Sequence, residues 1–421
     1  MKKTIKTFKT EPMFEVIKDV NKNVIRIFYF MPYKRENVIN RKTMIRILNS
    51  SNNNYRTASE FSDILDKLYI IKYNVGVSHY ISHDLIDFTM EIPKLGLIDE
   101  FDLDKAIKLL HDTIYNQYVE NSEFKTSDYL RLKENLVKNE LDYPHSIREF
   151  AYDQFLDYVD EKKQTFLHRD EYLKALEDIS PKKAYDYYKE AILDNNYFTY
   201  IMGSKDDKDV ILNTFNKYFK QDIKSFDVEL KYYNFLELEK LKTKEIITKY
   251  NQSVIAQYYN VKDLKKDDLN KLDILYFFLN SRENDLIFKK LRNEHNLIYH
   301  CSVNEEIAYG GIDINAFFNI SNLNQIRNDI KDVFDSIKIK DNFNKYMENL
   351  IKAMEYDLLS LEDNIYTDAN EKFKKMLDCD YHSIRENIDI YKKITFEEML
   401  EFLNRVELTK EMIMIAGESN E

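Results

Sequence analysis

Ile179-Ser-Pro-Lys-Lys183, followed by Tyr200-Ile-Met-Gly-Ser204, recurs as Ile394-Thr-Phe-Glu-Glu398, followed by Met414-Ile-Ala-Gly-Glu418, at offsets of 215 to 214. Each copy reads as helix N-cap, helix, short strand and glycine. Ser180 with Pro181 starts one helix, and Thr395 with Glu398 forms a capping box at the other. Glu134-Asn-Leu-Val-Lys138 likewise returns as Glu348-Asn-Leu-Ile-Lys352, and Ile47-Leu-Asn-Ser50 is echoed by Phe278-Leu-Asn-Ser281. Three matches in the same order mark a duplication. The halves are 1–220 and 243–421, joined by the charged, glycine-free linker 221–242, and the run Leu236–Glu245 reads as a solvated linker helix or strand edge.

Working outward, each half alternates between strand and helix signals. In the first, Val24–Phe30, Ile70–Ser78, Leu85–Ile92 and Phe198–Met202 read as strands. Helices are expected at 37–48, at 58–68 behind a Thr57/Glu60 cap, and over 103–119, 127–158 and 181–193. In the second, Ser253–Tyr259 and Met412–Ile415 are strands, and 267–279 and 285–292 are helices. Leu297–Val303 and Ile307–Ile320 form a hairpin, where Ile312, Ile314, Ala316, Phe318 and Ile320 alternate with period two. Long helices fill the stretch up to about 404. Grouped strands with runs of helices predict class α+β, two duplicated domains, each an antiparallel-rich sheet covered by helices.

A chain of 421 residues exceeds one ordinary core, which agrees with two domains of about 200 residues. A net charge of −12 excludes a general nucleic-acid binder, which needs a basic face. No apolar run of about 20 residues predicts a membrane span, and the basic N-terminus lacks the apolar centre of a secretory signal. Two cysteines, Cys301 and Cys379, give no disulfide framework and fit a reducing cytoplasm.

The segment Leu291-Arg-Asn-Glu-His-Asn-Leu-Ile-Tyr299 places an arginine at a helix end and a tyrosine seven residues on, where a strand begins. Locally this is unremarkable. Arginine suits a helix C-terminus, and the chain holds 32 tyrosines. Together with the duplication and the order of elements, however, the whole chain resembles the insulinase/pitrilysin metallopeptidases, in the bacterial branch related to mitochondrial processing peptidase. The resemblance implies one half of a clam-shell chamber, in which Arg292 and Tyr299 face a zinc site.

The family's zinc motif is H-x-x-E-H on the first helix of the first half. Its two histidines lie on one helix face, and the glutamate activates the metal-bound water. Here helix 37–48 carries Lys42-Thr-Met-Ile-Arg46, with register set by Tyr55-Arg-Thr57. Lys42 and Arg46 stand at the ligand positions and Ile45 at that of the base. An ammonium and a guanidinium are not zinc ligands at neutral pH. Glu140 looks like the family's third ligand, on a later helix. Neither H-x-x-E-H nor H-E-x-x-H occurs anywhere in the chain, so no catalytic zinc is expected in it.

The resemblance therefore implies a non-catalytic subunit. The zinc would belong to a homologous H-x-x-E-H partner, and Arg292 and Tyr299 would act at that partner's site. The substrate would be an extended peptide. The alternative is an inactive scaffold or peptide-binding homologue, as a heteromer or homodimer.

Other candidates read more plainly. His79 and His83 on one strand stand too far apart for a shared metal unless the segment turns. His295 and His300 flank the Arg/Tyr pair and could line a peptide groove. Cys301 is expected to be a small buried residue. Gly310-Gly311 lacks the lysine and helix of a phosphate loop and marks a bulge or close backbone approach.

Overall fold

Alternating apolar side chains make Lys22–Pro32 the central strand of the first sheet. Ile25, Ile27 and Tyr29 face one core, and Phe28 and Phe30 face another. The computed structural model describes residues 3–80, 82–125, 129–141, 146–161, 167–231, 240–281, 284–306, 310–362, 364, 366–377 and 381–417. The strands of the first unit are β1 (Lys3–Lys9), β2 (Met13–Val16), β3 (Lys22–Pro32), β4 (Lys72–Tyr80), β5 (His83–Pro93), the small hairpin β6 (Val119–Glu120) and β7 (Glu123–Phe124), β8 (Tyr197–Gly203) and β9 (Ser225–Lys231), which lies within the segment 221–242 expected as a linker and pairs instead with β1. The second half contributes β10 (Lys242–Thr248), β11 (Ser253–Val261), β12 (Ile298–Glu306), β13 (Gly311–Phe318) and β14 (Val406–Ala416).

The duplication is written in the topology. One five-stranded sheet runs β2-β8-β3-β5-β4 and the other β10-β14-β11-β13-β12. In each, the first pair is parallel and every other pair antiparallel. The echoed Leu-Asn-Ser segments do the same work twice. Asn49 donates to the carbonyl of Val75 in β4 at 2.7 Å, and Asn280 donates to that of Val303 in β12 at 3.2 Å. Each pins the end of the first helix to the outermost strand. The caps read from sequence are in place at Thr57/Glu60, Ser180 and Thr395/Glu398.

The chain divides into two compact units that do not follow chain order. The first unit is Met1–Asp142 and Phe166–Tyr232 together with Ile365–Leu377. Helices Val38–Leu48, Leu103–Tyr115, Pro181–Tyr188 and Lys208–Tyr218 cover one face of its sheet. On the opposite face, Ala369, Phe373 and Leu377 of helix Thr367–Leu377 pack against Phe8, Phe28, Phe30, Phe198 and Tyr200.

The second unit is Tyr143–Thr165, Tyr233–Asn364 and Asp378–Glu421. Helices Leu269–Asn280, Leu323–Ile337, Lys340–Glu362 and Phe396–Leu403 bury one face. Helix Ile147–Val159 packs on β11 and β14. Lys410 lies over the Tyr158 ring at 4.8 Å and pairs with Glu161 at 3.2 Å. Each half thus lends one helix to the other half's sheet.

The single helix expected over 127–158 is two, Tyr129–Leu141 and Ile147–Val159. The Ser146/Glu149 capping box starts the second helix afresh. Gly310 has φ +69°, and a Cβ on Gly311 would collide with the Tyr259 carbonyl and the Tyr258 ring. The close approach expected of the glycine pair is present. Among the described residues no helix is long and apolar enough to cross a membrane.

Candidate functional site

Lys42, Ile45 and Arg46, the expected zinc-motif positions, lie on helix Val38–Leu48, where Ile39, Thr43, Met44, Ile47 and Leu48 are buried. Lys42 Nζ donates to the Tyr172 hydroxyl at 2.8 Å and sits 4.5 Å from that ring's centre. Ile45 packs against the first core, and Arg46 is half-buried. Glu140 belongs to helix Tyr129–Leu141, and its side chain lies outside the described residues, as do Cys379 and residues 232–239. The donor set does not fit zinc. The cations Lys42 and Arg46 would repel the ion, and the Ile45 side chain has no group that could act as a base. Among the described residues, no three His, Cys, Asp or Glu side chains converge as a metal site.

His79 and His83 are not on one strand. The chain turns between them, so that His79 pairs across the hairpin with Asp84 and Tyr80 with His83. The spacing estimate for a single strand therefore does not apply. Asp84 is buried, ion-paired with Arg41, and 3.9 Å from His79 Nδ1. This is a charge cluster bracing the hairpin against the first helix.

Arg292 and Tyr299 lie on an irregular connection in the second unit. Asp285 in the left-handed region starts a short helix that widens into a π-type turn over Lys289–Glu294. Such turns often mark functional segments. Leu297 N–H bonds to the Leu291 carbonyl at 2.8 Å. Arg292 Nη1 donates to Asn296 Oδ1 at 3.0 Å and to the Ile298 carbonyl at 2.7 Å. The guanidinium is thus a clasp that fixes where β12 begins. The register of β12 on β13 shifts between Ile298 and His300. This bulge frees Tyr299 from alternation, and its side chain stands 61% exposed on the outermost strand of the sheet.

Around the pair, His295 Nδ1 bonds to Asp329 Oδ2 at 2.6 Å. Asp329 is 34 residues away in sequence and fully buried. Nothing local in the sequence signals this contact. Burial pushes the Cys301 thiol up to about 12, and Asp285 adds to it. The thiol is therefore protonated at neutral pH and no nucleophile.

In the second half, the helix that follows the central strand is Leu269–Asn280. It carries Asp273, which accepts from the Tyr391 hydroxyl at 3.1 Å. Burial raises this carboxyl above its ordinary range, and hydrogen bonds from Glu305 and Tyr391 only partly oppose that. Because the folded-state pKa is raised, the stabilisation is complete below the unfolded carboxyl range. It is lost as pH rises through the folded value. Asp273→Asn is therefore expected to raise the second unit's unfolding midpoint at about pH 8 while changing it little at about pH 4. Thermal melts followed by circular dichroism at the two pH values check this. An equal shift at both would contradict it.

The comparisons agree with this architecture. A family model described as the peptidase M16 inactive domain matches residues 178–354. A relative from Bacillus subtilis (strain 168), called a probable inactive metalloprotease, YmfF, is 20% identical over 325 residues, 75% of each chain. A conserved protein from Enterococcus faecalis V583 superposes with a TM-score of 0.81 at 16% identity, over 99% of this chain and 100% of that one. The periplasmic protease PqqL from Escherichia coli superposes with a TM-score of 0.61 at 10% identity, where 97% of this chain spans 44% of PqqL. With its duplicated sheets and its lack of H-x-x-E-H, the chain is similar to the M16 peptidase family, the insulinase/pitrilysin group, and to relatives described there as inactive.

Proposed function

We propose that this chain is the non-catalytic subunit of a heterodimeric bacterial zinc peptidase, working in the cytoplasm. Its partner is a homologous chain with an intact H-x-x-E-H motif. The observation that carries this reading is the exposed Tyr299 side chain, set out by a bulge on an outer strand just after the Ile298 carbonyl that Arg292 holds, in a chain without H-x-x-E-H. Hydrolysis at zinc develops a negative oxygen in the tetrahedral intermediate. A phenol hydroxyl and a guanidinium edge presented to that oxygen, or to the substrate carbonyl, lower its energy. The length relation to PqqL supports the pairing, since this chain accounts for less than half of that single polypeptide. An extended peptide would be held by main-chain hydrogen bonds along a free strand edge.

The test is co-expression with an H-x-x-E-H relative from the same source and a quenched-peptide assay. Cleavage should need both chains. Tyr299→Phe should lower kcat by roughly 10²-fold, the effect of losing one donor to the developing oxyanion. Its hydroxyl has no hydrogen bond among the described residues, so the fold should not suffer. A complex that cleaves at the wild-type rate with Tyr299→Phe defeats the shared-site reading.

One observation favours a second reading, an inactive scaffold in which the pair has no chemistry. Arg292 already holds Ile298 and Asn296, which is a structural task. In that case Arg292→Ala weakens the second unit by about 1 kcal/mol and leaves cleavage by any partner unaffected.

A further inference from the structure

Three side chains on the outer face of the second sheet, near its β12 edge, have unspent polar groups. They are Arg148, Tyr299 and His300. Register places His300 opposite Phe317, and the bulge places Tyr299 beside it, off the core face. Arg148 comes from helix Ile147–Val159, the helix lent by the first half to this unit. Its guanidinium carbon lies 6.0 Å from the Phe317 ring centre, and the His300 ring lies 5.6 Å from the same ring. Phe317 is thus the floor on which both polar groups rest.

Their electrostatic setting is unusual for an acidic chain. Among the described residues no carboxylate pairs with Arg148, although the chain carries 74 acidic side chains against 62 basic ones. Burial first, and then Arg148, push His300 below the ordinary imidazole range. The imidazole is therefore neutral at pH 7, with one donor and one acceptor nitrogen. Arg148 also gains nothing from its place in the helix. It is the second residue of the helix, where the backbone's partial positive charge disfavours a cation.

The geometry points to a carboxylate-reading cluster: Arg148, with Tyr299 and His300, binds a carboxylate carried by an extended peptide lying along β12. A planar guanidinium on an aromatic floor is suited to two parallel hydrogen bonds with a carboxylate. The phenol and imidazole donors extend the same patch. This rests on the proposal that the chain handles peptides, and it adds the class of peptide. The carboxylate comes either from the C-terminus or from an Asp or Glu side chain.

The test uses the full chain alone and fluorescence anisotropy at low ionic strength. The probes are short fluorescein-labelled peptides of alanine, leucine and serine, ending in a free acid or a carboxamide. A second carboxamide pair carries Glu or Gln at its centre. The free acid should bind about tenfold tighter than its amide, a gap of about 1.4 kcal/mol. Arg148→Gln should abolish the gap and Arg148→Lys should keep part of it. A Glu-over-Gln preference instead, with the same Arg148 dependence, supports the cluster and names the side-chain source. Thermal melts of both variants should match wild type, because Arg148 is exposed. Peptides that bind with no preference for a carboxylate, or a preference that survives Arg148→Gln, overturn the cluster and leave peptide handling standing. No binding by any peptide removes both. The subunit-pairing reading is judged separately by the Tyr299→Phe rate in the complex.

Discussion

Phe373→Ala is expected to destabilise the first compact unit by about 3–5 kcal/mol, the usual cost of deleting a buried aromatic ring. Phe373 is separated by about a hundred and fifty residues or more from every ring it meets. It stacks on Phe28 at 4.6 Å and on Phe198 at 6.3 Å, tilts against Tyr200 at 5.2 Å, and lies 4.9 Å from the Arg26 guanidinium carbon. Arg26 is itself paired with Asp87. Removing the ring takes away the cover over a row of phenylalanines and loosens the platform beneath that ion pair. Chain stability is commonly only about 5–15 kcal/mol, so the loss should appear as a separate early transition in urea unfolding followed by circular dichroism. Protease cuts around the Thr367–Leu377 helix should accompany it. A cost under about 1 kcal/mol would mean that this helix does not hold the sheet face.

The second large effect is expected at Arg327. Its Nη2 and Nε reach Glu411 at 2.5 and 3.2 Å, and Gln257 Nε2 adds a third bond to the same carboxylate at 2.8 Å. Glu411 is 4% exposed on β14. The Tyr259 hydroxyl then donates to Gln257 Oε1 at 2.9 Å, which extends the network towards the Phe334 ring. Arg327→Ala removes the counter-charge and leaves a buried carboxylate with one neutral donor. Breaking a buried pair from one side commonly costs about 3–5 kcal/mol. Arg327 is itself about one-third exposed, so about 2–4 kcal/mol is expected here. The loss should shrink when Glu411→Gln is added, because the stranded charge is then gone. A double variant as unstable as the sum of the singles would contradict this account.

The elements around Arg292 and Tyr299 divide into legible and hidden parts. Strand alternation in Ile312–Phe318 and the capping pairs at Thr57, Ser180 and Thr395 could be read directly, because each depends on residues within a few positions. Strand β2, with four residues, and the exposed edge strand β10 could not. Each draws its hydrogen bonds from a parallel neighbour more than 160 residues away. At the candidate site, the helix that carries Lys42, Ile45 and Arg46 and the helix end and strand start that carry Arg292 and Tyr299 were legible. The Arg292 clasp, the partner of His295 and the placement of Arg148 were not. They arise from a bulge, from an acid 34 residues on, and from a helix belonging to the other half.

By itself, the sequence determined the duplication, the α+β class and the absence of H-x-x-E-H. These follow from local periodicity, capping chemistry and residue identity. Only the tertiary structure decided which sheet each lent helix covers, and that Arg292 braces β12 while Tyr299 is left free. Those outcomes depend on long-range packing, where a ring such as Phe373 settles on the most complementary apolar face rather than on the nearest one in the chain.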